Sequence, residues 1–251
     1  MLSEKPWKID RAVIVLLGTF VVYSLFGVAW AVMLRVNGGQ KPADNSPVTL
    51  VLVTLSTHGS ILAATALAMW WFRIRWREAF GFATPGAGPA MLKGATAAVL
   101  FLPVGWLLQA SCQWALSLFH RQAQTQEAVQ LLQKAPTPES RAYLVFFAIL
   151  FAPAVEEIFF RGILYPAIKQ AGWPRSALWG TSALFAASHL DLQIFVPLFV
   201  LGVALAWLYE LTDNLLASIT AHGVFNGVNV LMLFYGDDLI NLLNRRLHAH
   251  P

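Results

Sequence analysis

Charged side chains are scarce in this sequence. Only 12% of the 251 residues are charged, whereas 57% are hydrophobic. Soluble globular domains usually carry about 25% charged residues, so the deficit argues against a soluble fold. The basic residues do not cluster with aromatic side chains in the manner of a nucleic-acid interface, which excludes nucleic acid as a partner.

Cysteine is nearly absent as well. Cys112 is the single cysteine, which excludes an internal disulfide and any cysteine-rich metal site. It has no neighbouring base in the sequence, so we interpret it as a small apolar helix residue. The alternation of polar and apolar residues that marks a transmembrane β-strand is also missing.

Long uncharged runs dominate what remains. Ala12–Leu34, Val48–Phe72 and Gly94–Phe119 each exceed 20 residues without a charged side chain, and about 20 apolar residues cross ~30 Å of hydrocarbon. The sequence therefore predicts an all-α polytopic membrane protein with about seven to eight transmembrane helices. The hydrophobic helices are predicted at residues 12–34, 48–72, 94–119, 142–168, 175–190, 192–210 and 214–235.

The longest polar interruption suggests two parts. A basic and then Gly/Pro-rich linker follows the second run, so we expect a transmembrane pair with its linker in residues 1–90 and a transmembrane core in 91–251. The first run is longer than the apolar region of a signal peptide, about 7–15 residues, and is expected to be a retained helix. A small excess of Lys and Arg favours a cytoplasmic N-terminus.

Three ionisable residues interrupt the fourth predicted helix. Glu156, Glu157 and Arg161 lie near its middle, where each charge costs about 2.5–3.5 kcal/mol on insertion scales. Glu157 and Arg161 are spaced i,i+4, which predicts an ion pair on one helix face. Glu156 is turned away by about 100° and is left free to act as a base.

Two later helices carry further polar pairs at helical spacing. Phe185 and His189 end the fifth segment, and His222 and Asn226 share a face of the last. From the helical rise of 1.5 Å per residue, Glu156 and both histidines are expected within a band about 10 Å thick. We assign His58, in the second helix, to an interhelical hydrogen bond. This set predicts an intramembrane active site or a transport site.

These residues resemble the CAAX protease and bacteriocin-processing (CPBP, or Abi) family of intramembrane proteases, which includes the Ras-converting enzyme. The resemblance covers about residues 140–232 and rests on the patterns E-E-x-x-x-R, F-x-x-x-H and H-x-x-x-N in successive helices. They occur here as Glu156-Glu157-x-x-x-Arg161, Phe185-x-x-x-His189 and His222-x-x-x-Asn226. No H-E-x-x-H motif is present.

The resemblance implies peptide-bond hydrolysis within the membrane by a catalytic core in the four C-terminal helices. It implies that Glu156 and His189 hold and activate the attacking water, while His222 and Asn226 stabilise the oxyanion. Phe185 would wall the pocket. Two other functions stay open: a non-catalytic membrane scaffold or immunity protein that binds a partner, and a proton-coupled transporter.

Cofactors and partners follow from the same resemblance. The Glu157–Arg161 pair would support the site, and the favoured mechanism requires no cofactor. Zn²⁺ is the alternative, with Glu156, His189, His222 and Asn226 as its ligands. The expected partners are the lipid bilayer and a peptide or lipidated protein, either a prenylated CAAX terminus or a bacteriocin or signalling peptide. The expected location is the bacterial inner membrane.

Overall fold

The computed structural model describes residues 2–36, 47–82, 86–119 and 127–247. All regular elements in these ranges are helical, which confirms the all-α prediction. Three π-helical turns interrupt the long helices: π1 (Leu55–Gly59), π2 (Phe147–Phe151) and π3 (Ile158–Leu164). The α-helices are α1 (Ile9–Val36), α2 (Pro47–Thr54), α3 (Ser60–Trp71), α4 (Trp76–Phe80), α5 (Ala87–Leu118), α6 (Glu127–Gln133), α7 (Pro138–Phe146), α8 (Ala152–Glu157), α9 (Tyr165–Gln170), α10 (Pro174–Ala187), α11 (Leu192–Thr212) and α12 (Leu215–Leu247).

Among the described residues, six helices are long and apolar enough to cross a membrane. They are α1, the continuous helices α2–π1–α3 and α7–π2–α8–π3–α9, α5, α11 and α12. Six of the seven predicted segments coincide with them. The predicted segment 175–190 is α10, whose 14 residues extend about 21 Å, less than the ~30 Å of a hydrocarbon core. The predicted count of seven to eight spans is therefore not confirmed.

Local sequence signals account for several helix ends. Thr137 caps α7, where its side chain accepts a hydrogen bond from the backbone N–H of Ser140, and Pro138 occupies the first turn, as predicted. Asn214 similarly accepts from the N–H of Leu216 at the start of α12. The predicted surface helix 121–134 is present as α6, and its residues before 127 lie outside the described part of the chain.

α12 lies at the centre of the packing that forms the site. It contacts α5, α11, α8 and π2. Gly223 permits its approach to π2, because a Cβ there would lie 2.6 Å from the carbonyl oxygen of Ile149. This close contact is what the small-residue pair Gly223 and Gly227 predicts. The two glycines thus bring the face of α12 that carries His222 against the fourth long helix.

An ordered N-terminal segment ties several helix ends together. Lys5 is buried, and its Nζ lies 2.7 Å from Oδ1 of Asp213, in the turn between α11 and α12. Burial opposes ionisation of Asp213, but hydrogen bonds from Lys5 and Ser3 hold its pKa below the ordinary value. Gln170, at the end of α9, accepts from the backbone N–H of Lys5 and donates to its carbonyl. The segment therefore links α9 to the α11–α12 turn.

Trp7 anchors this segment in the core. Its side chain is fully buried, and its ring centroid lies 6.1 Å from that of Phe80. Replacing a buried aromatic residue with alanine usually costs about 3–5 kcal/mol. We expect Trp7→Ala to lower the apparent melting temperature of the purified protein by several degrees. The matched control is Trp70→Ala, since Trp70 is 75% exposed. Equal shifts in the two variants would contradict the anchoring role.

Candidate active site

A buried ion pair lies at the base of the site. Glu157 and Arg161 are both fully buried, and Nη1 of Arg161 donates to Oε1 of Glu157 at 2.6 Å. Nη2 of Arg161 donates to the carbonyl of Gly202 at 3.1 Å and so connects α11 to π3. The predicted i,i+4 pair is therefore present. Because a buried charge is costly without its partner, each of the two side chains depends on the other.

His222 bridges the two carboxylates. Its Nδ1 lies 3.1 Å from Oε1 of Glu157, and its Nε2 lies 3.8 Å from Oε2 of Glu156. The imidazole is 2% exposed. An ionised carboxylate can only accept, so the contact with Glu157 places a proton on Nδ1 and fixes the ring orientation. Glu157 thus does more than the sequence predicts, since it holds His222 as well as Arg161.

Phe185 joins the two histidines. The fully buried ring lies 5.1 Å from the ring of His189 and 5.5 Å from that of His222, in edge-on contacts. The guanidinium carbon of Arg161 lies 4.4 Å from the Phe185 centroid, at the distance of a cation–π contact. The predicted wall residue is therefore in contact with three other residues of the predicted site.

His189 lies just beyond the end of α10 and is exposed. Its Nδ1 lies 2.9 Å from the carbonyl oxygen of Phe185, one turn earlier. A carbonyl only accepts, so Nδ1 carries the proton and Nε2 is left with a free lone pair. This nitrogen is thus available to accept a hydrogen bond from water or to bind a metal ion.

Asn226 lies one turn after His222 on α12. Its Nδ2 donates to the carbonyl oxygen of Ala148 at 2.9 Å, and this oxygen belongs to π2. A side-chain amide has two donor hydrogens, so one remains for a second acceptor. Asn226 is joined to the site through α12 and through its bond to π2.

His58 is a member of the cluster that the sequence did not assign to it. Its Nε2 lies 3.5 Å from Oε1 of Glu156, and both side chains are 19% exposed. The prediction of an interhelical hydrogen bond was right in kind, but the partner is the predicted base itself. The available signal was a histidine in an apolar helix, and nothing in the local spacing indicates its partner.

The described residues contain no group of three or more His, Cys, Asp or Glu side chains arranged to hold a metal ion. The predicted Zn²⁺ ligands Glu156 and His222 lie close together, but both amide and ring groups nearby are engaged with protein partners. Whether the site takes a metal stays a prediction from the sequence, and no chemical step below is derived through one.

Comparison with known proteins assigns the family. Residues 138–228 match the family model "Type II CAAX prenyl endopeptidase Rce1-like". This chain carries an Rce1-like domain of the CAAX protease family. The match contains the seven predicted site residues that lie between Glu156 and Asn226 and excludes His58. The Rce1-like domain thus spans the four C-terminal helices expected to hold the site.

One curated relative also matches. The chain is 33% identical over 100 residues to "Uncharacterized protein YpbD" of Bacillus subtilis (strain 168). The aligned part covers 38% of this chain and 48% of the relative, so the chain spans about half the length of that protein. No solved structure matches this chain. The Rce1-like domain and the apolar helices identify an integral, multi-pass membrane protein.

Proposed function

We propose that this protein is an intramembrane endopeptidase. It hydrolyses a peptide bond of a membrane-associated substrate with a water molecule activated by Glu156 and His189. The observation that carries the proposal is the position of His222 between Glu156 and the buried Glu157–Arg161 pair. The Rce1-like match over the same residues supports it.

The first step is attack by water on the scissile carbonyl carbon. Glu156 accepts one proton of the water as the oxygen–carbon bond forms, and Nε2 of His189 accepts a hydrogen bond that orients the same water. The carbonyl π electrons move to oxygen and produce a tetrahedral oxyanion. Glu156 lies near the middle of Pro138–Gln170, where limited water access strengthens such electrostatic interactions.

The oxyanion requires donors, and α12 supplies them. Asn226 has an amide hydrogen left after its bond to Ala148, and Nε2 of His222 faces the site. Since Nδ1 of His222 already donates to Glu157, donation from Nε2 requires a proton on each ring nitrogen. One such donor is worth about 3–4 kcal/mol in related acyl-transfer sites.

Collapse of the intermediate completes the reaction. The carbonyl re-forms, the carbon–nitrogen bond breaks, and the proton held by Glu156 passes to the leaving amine. The products are a new carboxyl terminus and a new amino terminus, with one water consumed. Glu157, Arg161 and Phe185 touch neither water nor substrate in this scheme and act by holding His222.

The substrate class follows from the location of the site. A peptide must reach Glu156 from the membrane, so we propose a lipidated or apolar peptide terminus. A prenylated CAAX peptide is one candidate, and a bacteriocin or signalling peptide is another. We further propose that the protein resides in the bacterial inner membrane with a cytoplasmic N-terminus.

The direct test is a cleavage assay with the full chain in proteoliposomes. The panel contains a farnesylated CAAX peptide, the same peptide without its lipid, and apolar signalling peptides. Cleavage with a preference for the lipidated or apolar members supports the proposal. Saturable binding without cleavage by the folded protein would instead indicate a scaffold, and proton-coupled uptake would indicate a transporter.

Chelation tests the cofactor prediction. We expect cleavage to persist within about twofold after dialysis against 1,10-phenanthroline or EDTA, because the proposed steps use only groups of the chain. A protein inactivated by the chelator and restored by Zn²⁺ would contradict this expectation. Metal content measured by mass spectrometry before and after dialysis is the control, since a tightly held ion resists removal.

A further inference from the structure

We infer that His58 is a positioning residue of this site, one that donates a hydrogen bond from Nε2 to Glu156. The inference rests on the proposed function and adds a residue from outside the Rce1-like domain. Oε1 of Glu156 faces His58 at 3.5 Å, while Oε2 faces His222 at 3.8 Å. The proposed base is thus held between histidines of two different helices.

Thr57 supplies the means of directing the His58 proton. Its Oγ1 lies 2.9 Å from Nδ1 of His58, and it also lies 2.8 Å from the carbonyl oxygen of Val53. When the hydroxyl donates to Nδ1, the single proton of a neutral imidazole lies on Nε2. That nitrogen faces Glu156, so the chain from Thr57 through His58 ends on the carboxylate as a donor.

Aromatic contacts restrict the orientation of the His58 ring. Phe147 lies 4.9 Å away in an edge-on contact, and Phe151 lies 6.4 Å away. Both belong to π2, and His58 itself belongs to π1. π-helical turns inside long helices occur frequently at functional sites. Here two of them meet at one imidazole, which leaves the ring few orientations other than the one that faces Glu156.

Positioning of the base affects the chemical step more than substrate binding. A carboxylate that loses one of its two contacts gains rotamers in which it does not face the water. Misplacement of a catalytic group by about 1 Å can cost on the order of 10²-fold in rate. The N-terminal helices would therefore contribute to catalysis as well as to membrane anchoring.

Two amide substitutions separate positioning from packing. In His58→Gln the amide nitrogen reaches about the position of Nε2, whereas in His58→Asn it does not. We expect His58→Asn to lower kcat by about 10- to 100-fold with KM within about twofold, and His58→Gln to keep kcat within about fivefold. Ser60→Ala is the matched control, since Ser60 is buried and its hydroxyl donates only to Ser56, on the same helix.

The outcomes each decide the inference. Loss in His58→Asn with rescue in His58→Gln and an unaffected Ser60→Ala supports it. Wild-type kcat in His58→Asn would overturn it, as would an equal loss in all three variants or a change in KM alone.

A second readout does not depend on cleavage. In protein labelled with ¹⁵N-histidine, we expect the His58 signals, assigned by their loss in His58→Asn, to report a proton on Nε2. An Nε2 without a proton would overturn the inference. If neither wild type nor variants cleave the panel, the proposed function fails, while the ring nitrogen signals still decide whether His58 donates to Glu156.

Discussion

Glu156→Gln is expected to fold and to lose peptide cleavage, with kcat lower by about 10²- to 10⁴-fold. The amide has the size and shape of the carboxyl group but cannot take a proton from water. The side chain is 19% exposed and carries no buried ion pair of the kind that holds Glu157. Stability should therefore change little, and cleavage kinetics with a thermal unfolding scan on the same preparation measure both effects.

Glu139→Gln is the matched control for this experiment. Glu139 lies on α7, at the start of the same long helix, and its side chain is exposed. The substitution is chemically identical, so it should leave kcat and KM unchanged. Equal cleavage by Glu156→Gln and wild type would refute the assignment of Glu156 as the base.

Arg161→Met is expected to produce the largest loss of stability. It leaves Glu157 fully buried without its guanidinium partner and removes the bond to Gly202. Removing one partner of a buried ion pair usually costs about 3–5 kcal/mol. We expect little folded protein from this variant, measured by size-exclusion chromatography and by the apparent melting temperature in detergent.

A double substitution separates the charge of this pair from its second role. Glu157→Leu combined with Arg161→Met removes both charges with little change in volume, so much of the stability should return. Cleavage should stay low, because Nδ1 of His222 then lacks the carboxylate that orients it. A double variant with wild-type cleavage would mean that Glu157 serves only as the partner of Arg161.

Helical periodicity carried much of this description. Long uncharged runs predicted six of the helices, and the i,i+4 spacing predicted the contact between Glu157 and Arg161. Such features depend on residues close in sequence, whose relative positions a helix fixes. The depth estimate from helical rise also placed Glu156 and His222 at one level, and the structure brings them within 3.8 Å.

Contacts between distant segments were not readable in the same way. The pairing of His58 with Glu156 joins residues 98 positions apart and depends on how π1 and π2 pack. The N-terminal contact between Lys5 and Asp213 similarly joins the two ends of the chain. Neither pair has a spacing that a single helix would impose, so no pattern in one sequence identifies it.

The short fifth segment shows a different limit. Hydropathy marked residues 175–190 as a span, but α10 ends at Ala187 and leaves His189 exposed beyond its end. Leu190, the next residue, has a φ of 53°, which ends the helical path. Apolar composition alone does not distinguish a spanning helix from one that stops within the protein.

The most direct test of the central claim is cleavage in H₂¹⁸O by wild type and Glu156→Gln in proteoliposomes, followed by mass spectrometry. The account predicts two fragments from the wild type, whose masses sum to that of the substrate plus one water, with ¹⁸O in the new carboxyl terminus. Glu156→Gln should yield almost none. Labelled fragments from both proteins in equal amounts, or no fragments from folded wild type across the panel, would contradict the account.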